Sequence, residues 1–427
     1  MKRKIYKKNI TNILAIASCS LIGSSINTKV VAEDWDVKNT VLFYSESDDR
    51  VQAIETVTSL TKEINEDDTF SVNLTLDALT GASPNGATPS NILQTFTSPS
   101  GDSSFTTPAG ETPLDDAFKD LRVAMSGNWN KVINRTVSSN LGIALSHETD
   151  YDSYGINTLF NFNSSSKNTT WQIGASFSKD ISKPLGGIPI PLAFIFPPSL
   201  QNNKGDFEIT DSDSKTTLDL NFGVTQILGK NTIGQLTFTY SDVNGYQNDP
   251  YKIISFIDDT SGSTLFYFNE NRPENRKKKG IFTTIKHHTQ KNHIINPSFR
   301  YYIDDWGIRS STFDFKYRIN LTNKNFIEPK IRYYDQSAAD FYHHSLANID
   351  GLEIASADYR LAKFNASTIG IKFGHNFANH SVFEARLEYY TQRGDDHPND
   401  AIGIQQGLDL FAEVKAYIFQ FNYNFTW

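Results

Sequence analysis

Charged side chains recur at every second position in the C-terminal part of the chain. In STFDFKYRIN, Asp314, Lys316 and Arg318 alternate with aromatic residues. The same spacing in neighbouring segments places further charges on one face of successive strands, and the full set is Arg300, Asp304, Asp314, Lys316, Arg318, Glu328, Lys330, Arg332, Glu384, Arg386 and Glu388. Such a face can pair its charges across strands, or it can line a path for polar solutes. Because both signs are interleaved, pairing is the favoured interpretation and a selective pore is the alternative.

Polar residues also cluster where these segments turn. In DDWGIRS, Gly307 permits a turn and Arg309 can pair with the aspartates before it. The next hairpin carries RYYDQSAADFY. We expect this second group at the outer mouth of the folded chain: Asp305, Arg309, Asp335, Gln336 and Asp340. Its members could bind a ligand or a cation, but a clamp of hydrogen bonds between loops is the simpler interpretation.

The sequence contains no pattern typical of an enzyme. It has no nucleophile elbow, phosphate-binding loop, haem-attachment motif or dinucleotide fingerprint. Adjacent histidines such as His287 and His288 point to opposite faces of a strand and cannot chelate together. His288 and His293 flank one turn, which is weak support for a metal site. We therefore predict no catalytic residues, no metal and no cofactor, with an outer-membrane hydrolase as the least favoured alternative.

The elements that carry these residues must be apolar on one face only. Just 38% of the 427 residues are apolar, yet 13% are aromatic, with 30 Phe and 19 Tyr. A packed globular domain normally has a larger apolar fraction. Period-two alternation, as in SVFEARLEYY, instead predicts strands with one apolar and one polar face. A charge facing lipid costs about 2–4 kcal/mol at the membrane midplane, so the charged face is expected to point inward. The net charge of −8 argues against a nucleic-acid partner.

The connections between these strands alternate in length. Short polar turns are predicted at 65–68, 127–130, 165–168, 228–231, 289–292, 322–325 and 376–379. The longer loops between them are 81–116, 182–212, 244–276, 338–356 and 393–407. Short turns at one end and long loops at the other are typical of outer-membrane barrels. The sequence therefore predicts an all-β fold, a transmembrane antiparallel up-and-down β-barrel of about sixteen strands (about 14–18), with both termini on the periplasmic side.

The chain ends in AYIFQFNYNFTW, in which every second residue back from Trp427 is aromatic. In a closed barrel this strand must pair with the first one, near residues 39–45, because an open edge in lipid leaves backbone groups unsatisfied. The terminal ring also resembles the signal read by the machinery that inserts outer-membrane barrels. Since indole rings favour the membrane interface, we predict anchors at Trp129, Trp171 and Trp427 near the periplasmic rim, and at Trp306 near the outer rim.

The first residues predict export. A basic start, MKRKIYKKNI, precedes an apolar stretch and a small-residue cleavage pattern that ends at Ala32. Residues 1–32 are thus predicted to be a signal peptide, and residues 33–427 the barrel. Cys19, the one cysteine of the chain, lies in a segment that resembles a lipoprotein box. Lipidation at Cys19 is therefore the alternative to cleavage after Ala32.

Several long segments resemble one family. They are TGASPNGATP (80–89), YSDVNGYQNDPYK (240–252), RYYIDDWGIRSSTF (300–313), IRYYDQSAADFY (331–342) and DYRLAKFNASTIGIK (358–372). In these segments the chain is similar to the uncharacterised family known as domain of unknown function 3570. The resemblance implies a barrel surrounded by outer-membrane lipid. It also implies periplasmic redox or lipoprotein partners, with a link to flavin-dependent electron transfer, but no established activity.

An apolar segment, PLGGIPIPLAFIFPPSL (184–200), stands outside this resemblance. Its prolines exclude a helix, so it is expected either to plug the barrel mouth, which we favour, or to lie on the membrane surface.

Together these features predict a channel, conduit or housing for transport across the envelope. A closed barrel that binds periplasmic lipoprotein or redox partners is the alternative.

Overall fold

The computed structural model describes residues 35–47, 50–97, 104–195 and 210–427. The predicted signal peptide at 1–32, including Cys19, lies outside the described residues, as does the last part of the apolar segment, 196–200. Among the described residues no helix is long and apolar enough to cross a bilayer. The helical structure described there consists of 3₁₀ turns at Tyr359–Leu361 and Gly403–Gly407.

Strands make up most of the described chain. In chain order they are β1 (Asp36–Glu46), β2 (Gln52–Glu63), β3 (Asp68–Pro84), β4 (Gln94–Thr97), β5 (Ser104–Thr107), β6 (Leu114–Asn134), β7 (Val137–His147), β8 (Tyr151–Asn163), β9 (Thr169–Ser182), β10 (Phe194–Ile195), β11 (Asp213–Gly229), β12 (Thr232–Gly245), β13 (Ile253–Ile257), β14 (Thr264–Asn269), β15 (Asn275–His288), β16 (His293–Asp304), β17 (Arg309–Asn320), β18 (Asn325–Gln336), β19 (Phe364–Asn376), β20 (Val382–Gly394) and β21 (Val414–Thr426). All but β4, β5, β10, β13 and β14 form one closed antiparallel barrel of sixteen strands, in chain order around the ring. The predicted fold and strand number are confirmed.

The barrel strands follow the predicted alternation. On β17 and β18, the outward side chains of Phe313, Ile331 and Tyr333 are exposed by 43%, 51% and 51%. Large apolar side chains are exposed in the same way on most strands of the wall. Such a surface is unfavourable in water and favourable against hydrocarbon. The outward face is therefore the lipid-contacting face, and the positions between line the lumen.

The first and last strands close the ring. β1 and β21 pair along their whole length, and the backbones of Trp35 and Trp427 exchange two hydrogen bonds of 2.8 Å. Phe421 of β21 faces lipid, whereas Asn422 faces the lumen and accepts a hydrogen bond from Thr40 Oγ1 (2.9 Å). This pairing, expected from the sequence, leaves neither strand with an open edge in the membrane.

The start of β1, the end of β21 and the short turns share one end of the barrel, called the turn end here, and the long connections share the other, the loop end. One predicted turn is wrong. Segment 127–130 lies inside β6, where its asparagines face the lumen, and the chain reverses at Arg135 and Thr136. The Asn134 side chain makes that turn, because its Oδ1 accepts hydrogen bonds from the backbone of Thr136 and Val137 (2.9 and 3.0 Å).

The described parts of four long connections pack together at the loop end. These connections, called the loop assembly below, are 85–113, 246–274, 337–363 and 395–413. Their core includes Ile254 and Ala355, both fully buried. The apolar segment after β9 joins them, because β10 pairs with β14 through Phe194 and Phe268. In its described part, that segment is therefore the edge of a small sheet.

The loop assembly crosses the barrel mouth. Connections 85–113 and 246–274 leave strands that are separated by β7, β8, β9 and β11 on the shorter side of the ring. Strands spaced about 4.8 Å apart and tilted by about 40° give a sixteen-stranded barrel about 30 Å across. Yet Ile253 N donates to Asn85 O (2.9 Å), and a Cβ added to Gly86 would lie 2.4 Å from the Ile253 carbonyl oxygen. The two connections therefore meet over the lumen.

Trp306 corrects a second prediction, because it does not contact lipid. Its side chain is 3% exposed and packs edge-on against Phe341 in a buried cluster of the loop end (ring centroids 5.1 Å apart). It stabilises the loops that follow β16 and β18. The other three predicted anchors lie on the outward face towards the turn end and are roughly half exposed: Trp129, Trp171 and Trp427.

Candidate functional site

The charged positions singled out in the sequence lie on the inward face of β16, β17, β18 and β20. These four strands, together with β19, are called the charged half of the wall below. Most of them form ion pairs. Lys330 Nζ lies 2.9 Å from a Glu388 carboxylate oxygen, and Arg386 Nε lies 3.5 Å from the same carboxylate. The Glu388 side chain is buried against the wall. These contacts join β18 to β20 across β19.

A lysine that the sequence analysis did not single out connects two more of these carboxylates. Lys372 Nζ of β19 lies 3.3 Å from both Glu328 and Glu384. On β17, Lys316 Nζ lies 3.5 Å from the Asp314 carboxylate. Ion pairs thus link β18, β19 and β20, as expected for a wall stabilised from inside, whereas the Lys316–Asp314 pair lies within β17.

The remaining charges of the predicted set have different partners. Asp304 pairs with Arg276 of β15 (2.5 Å). The Arg318 guanidinium lies over the ring of Phe326, 3.5 Å from its centroid, which is a cation–π contact. Two inward arginines are exposed and have no ion pair among the described residues: Arg300 and Arg332. Long charged side chains therefore line the lumen along this part of the wall.

The predicted outer-mouth residues are not brought together as one site. Gln336 is buried, and its Nε2 donates to the Arg360 and Ala362 carbonyls (3.0 and 2.7 Å). Asp305 accepts a hydrogen bond from the Lys277 backbone (2.9 Å). The other three are exposed at the loop end: Arg309, Asp335 and Asp340. This arrangement is a set of separate loop clamps.

The opposite part of the wall has a different lining. On β6, β7, β8, β9 and β11, here called the small-residue half, the inward positions are mostly small or uncharged: Ser126, Asn128, Gly142, Ala144, Gly155, Asn157, Gly174, Ser176 and Asn221. Asparagines cover the glycines of neighbouring strands, since a Cβ added to Gly142 would lie within about 2.5 Å of the Asn128 and Asn157 side chains. Ala144 is exposed on the inward face. The side chains that line this part of the wall are thus shorter than those of the charged half.

A cavity of about 570 Å³ opens at the loop end of the small-residue half. The loop assembly forms one side of it, through segment 246–251 and the side chains of Arg272 and Arg360. The wall forms the other side with five acidic residues: Asp120, Glu148, Asp150, Asp180 and Asp213. Lys119 of β6 and Lys215 of β11 also line the wall side, and Lys215 Nζ lies 3.9 Å from Asp180. The cavity is thus predominantly acidic on the wall side.

Three of these acids crowd together. Carboxylate oxygens of Asp120, Glu148 and Asp150 lie within 4.8 Å of one another. Burial, together with the charge of Asp120 and a hydrogen bond to it, raises the pKa of Glu148 to about 7. Asp150 accepts a hydrogen bond from the Tyr251 hydroxyl of the loop assembly. Acidic clusters of this kind occur without a bound ion, and the geometry assigns no metal to this one.

Ion pairs hold the loop side of the cavity, with Arg272, Glu270 and Asp358 buried and Arg360 exposed. Arg272 Nε lies 2.7 Å from Glu270, and its Nη2 lies 2.8 Å from Asp358. Arg360 bridges Asp358 and Asp249 (2.5 and 2.6 Å). Burial alone would raise the pKa of Asp358, but the two guanidinium groups outweigh it and hold that pKa well below its usual range. Burial raises the pKa of Glu270 to about 7 despite Arg272.

The comparison with protein families covers nearly the whole chain. The family model that matches is described as protein of unknown function (DUF3570), and it matches residues 11–425. The chain belongs to this family. No curated protein sequence is similar to it.

Solved structures share the barrel fold with this DUF3570 chain at low sequence identity. The ferric enterobactin receptor of Pseudomonas aeruginosa is 11% identical, with a TM-score of 0.44, over 92% of this chain and 60% of the receptor. A bacterial polysaccharide outer membrane secretin is 8% identical, with a TM-score of 0.45, over 93% and 100%. The monoaromatic hydrocarbon channel CymD is 6% identical, with a TM-score of 0.40, over 93% and 89%. The likeness concerns the fold alone, and the chain spans 60% of the receptor's length.

The sequence analysis missed the residues of the cavity in this DUF3570 barrel. They lie on β6 to β11 and in connection 246–274, whereas the predicted charges lie on β16 to β20. A signal was present, because an acidic residue recurs near the loop end of each strand of the small-residue half, in AFKDL, SHETDYD, FSKD and DSDSK. These segments were not recognised because each carries only two or three charges in a short stretch beside a turn, and none repeats along a whole strand.

Proposed function

We propose that this protein is an outer-membrane passage for small polar solutes, and that the loop assembly gates it. The observation that carries the proposal is the unequal lining of the wall. Long charged side chains line the charged half, while the inward positions of the small-residue half are mostly small or uncharged and include the exposed Ala144. The cavity lies at the loop end of that same half. We infer that the path for solutes follows the small-residue half to this opening.

The charge of the cavity supports a preference for cations. Its wall side carries five carboxylates, whereas Arg272 and Arg360 on the loop side already pair with Glu270, Asp358 and Asp249. A ring or cluster of acidic side chains at a pore entrance raises the local concentration of cations. We infer that small cations enter more readily than anions of the same size.

A closed barrel is the second candidate, and one observation favours it. The loop assembly meets over the lumen, and ion pairs around the buried Glu270 and Asp358 hold its contacts. In that case the protein would serve as a scaffold, with periplasmic lipoprotein or redox proteins as partners. The two candidates differ in whether ions cross the folded barrel.

Planar-bilayer recordings at pH 8 under a KCl gradient test the passage. We expect conductance with a reversal potential displaced towards that of K⁺. The double variant Asp180→Asn, Asp213→Asn should conduct with weaker cation preference, because two wall carboxylates of the cavity are neutralised. Glu353→Gln, at an exposed loop position outside the cavity, is the matched control and should keep the wild-type reversal potential. Folded barrels that never conduct would contradict the passage and support the scaffold.

A further inference from the structure

The short turns at the turn end carry a series of basic side chains, called the basic rim below. The described chain has seven such turns, and six of them contain one basic residue each and no acidic residue. In order around the barrel, the basic residues are Arg135, Lys167, Lys230, Lys291, Lys324 and His380. The turn between β2 and β3 is the exception, since it carries Glu66 and Asp67. A chain with a net charge of −8 thus keeps most of one rim positive.

The protein itself does not neutralise the basic rim. All six side chains are exposed, and none forms an ion pair with another described residue. Inside the barrel, by contrast, Lys330 lies 2.9 Å from a carboxylate oxygen of Glu388, and Lys372 lies 3.3 Å from one of Glu328. The positive charge of the rim is therefore available to a partner outside the chain.

Two members of the basic rim occupy backbone positions that suit a basic residue poorly. Lys167 has a φ of 57° and His380 a φ of 66°. The backbone N–H of Lys167 donates to the Ser164 carbonyl (2.8 Å), which closes that turn without using the side chain. Glycine and asparagine adopt the left-handed region more readily, because a larger side chain crowds the backbone there. The geometry of these turns therefore does not explain their basic side chains.

Large apolar side chains accompany the basic residues. Four of the six turns have one at or beside the turn that is roughly half exposed: Ile133, Leu228, Leu321 and Phe377. The Phe377 ring contacts Tyr423 on the outward face of β21, with centroids 6.5 Å apart. Apolar side chains next to basic ones are typical of a contact with the membrane interface. An acidic soluble protein would pair with the basic residues but would not require this apolar surface.

The basic rim lies at the level of the lipid headgroups. Trp171 follows Lys167 by four residues. A strand that rises about 3.3 Å per residue and tilts by about 40° advances about 10 Å over that length. Indole rings mark the boundary between hydrocarbon and headgroups, and the headgroup layer is about 5–8 Å thick. Because long basic side chains can bend back along an apolar surface, their charges can reach the phosphate groups.

We propose that the basic rim binds anionic phospholipid headgroups in the leaflet that surrounds the turn end. Lysine and arginine side chains donate hydrogen bonds to the phosphate oxygens, while the apolar side chains beside them contact the acyl chains. The unneutralised charge of the rim favours lipids with a net negative charge, such as phosphatidylglycerol, over zwitterionic lipids. This inference does not depend on whether ions or solutes cross the barrel.

Electron paramagnetic resonance of spin-labelled lipids tests the preference on the whole barrel in phosphatidylcholine vesicles. A trace of labelled phosphatidylglycerol or labelled phosphatidylcholine reports the fraction of lipid whose motion the protein restricts. We expect phosphatidylglycerol to associate about two- to fivefold more strongly, since one basic residue beside an anionic surface contributes roughly fivefold. About 1 M NaCl should remove this preference, because it shortens the Debye length to about 3 Å.

Charge variants locate the preference at the turn end. The double variant Lys291→Gln, Lys324→Gln neutralises two neighbouring turns and should lower the ratio of the two association constants towards one. Lys167→Gly should also lower the ratio without destabilising the barrel, because glycine favours that backbone position. The matched control is Arg309→Gln, Lys363→Gln, which neutralises two exposed basic residues at the loop end and should keep the wild-type ratio.

The outcomes separate this inference from the proposed function. Equal association of the two lipids with the wild-type barrel would overturn the proposal and assign the basic rim to an acidic soluble partner. A preference that persists in the Lys291, Lys324 double variant, or in about 1 M NaCl, would overturn it as well. A preference that these changes remove supports the proposal even in a barrel that never conducts, whereas the absence of conductance contradicts only the passage.

Discussion

Asp358 is the residue that ties the loop assembly together. It is 1% exposed and lies within 2.8 Å of both Arg272 and Arg360. Each of those arginines also reaches an acid of connection 246–274, so one buried carboxylate joins two loops. When one partner of a buried ion pair is removed, the other charge stays buried without a counter-ion. That desolvated charge lowers the stability of the folded structure.

Asp358→Asn should therefore loosen the loops while the barrel stays folded. We expect a loss of about 1–3 kcal/mol in the local stability of the loop assembly, since the buried Arg272 loses one of its two carboxylate partners while Arg360 is exposed. Limited proteolysis of the reconstituted protein at pH 7 measures this as faster cleavage within 246–274 and 337–363. Asp350→Asn, at an exposed position of the same connection, is the matched control. Equal cleavage rates in the two variants would refute the role of Asp358.

The same carboxylate sets a pH limit for the loops. Because the pKa of Asp358 is held below its usual range, its contribution is complete above about pH 4. It is lost only as the pH falls through the lowered value. Protection of the loops in wild type should thus survive mild acid and fail in strong acid, whereas Asp358→Asn should lack that acid transition.

At the scale of single strands, β7 offers two adjacent positions that face different solvents. Ile143 is 59% exposed on the lipid face, and Ala144 is exposed on the lumen face. Alternation at period two was readable from the sequence, because each such strand carries its apolar residues on one face. The position of the turn after β6 could not be predicted from the sequence. The Gly and Asn residues of 127–130 are typical of turns, but here they lie within the strand.

Ile143→Lys and Ala144→Lys should differ strongly in their effect on barrel stability. A lysine facing hydrocarbon costs about 2–4 kcal/mol near the midplane, while one facing an aqueous lumen costs little. Denaturant titration of the barrel folded in lipid vesicles measures the free energy of unfolding for both. Equal destabilisation by the two variants would mean that the lumen at β7 is not aqueous.

At the scale of the whole molecule, the loop assembly depends on contacts that no local pattern encodes. Gln405 Nε2 reaches Thr88 Oγ1 (3.4 Å), a contact between residues 317 positions apart. The sequence predicted the barrel, its strand number and its closing strand, since these follow from alternation and turn spacing. It did not predict the loop assembly or the cavity, since these form only when connections from distant strands meet over the barrel mouth. Trp306 was misplaced for the same reason.

The central claim is that solutes pass along the small-residue half of the lumen rather than along the charged half. Cysteine blocking tests it most directly, with Ala144→Cys facing the lumen and Leu145→Cys facing lipid on the same strand, both in a mature chain without Cys19. A bulky charged thiol reagent is added during planar-bilayer recording at pH 8. The account predicts that conductance falls sharply for Ala144→Cys and is unchanged for Leu145→Cys. If conductance is unchanged after modification at position 144, with labelling verified by mass spectrometry, a passage along the small-residue half is contradicted.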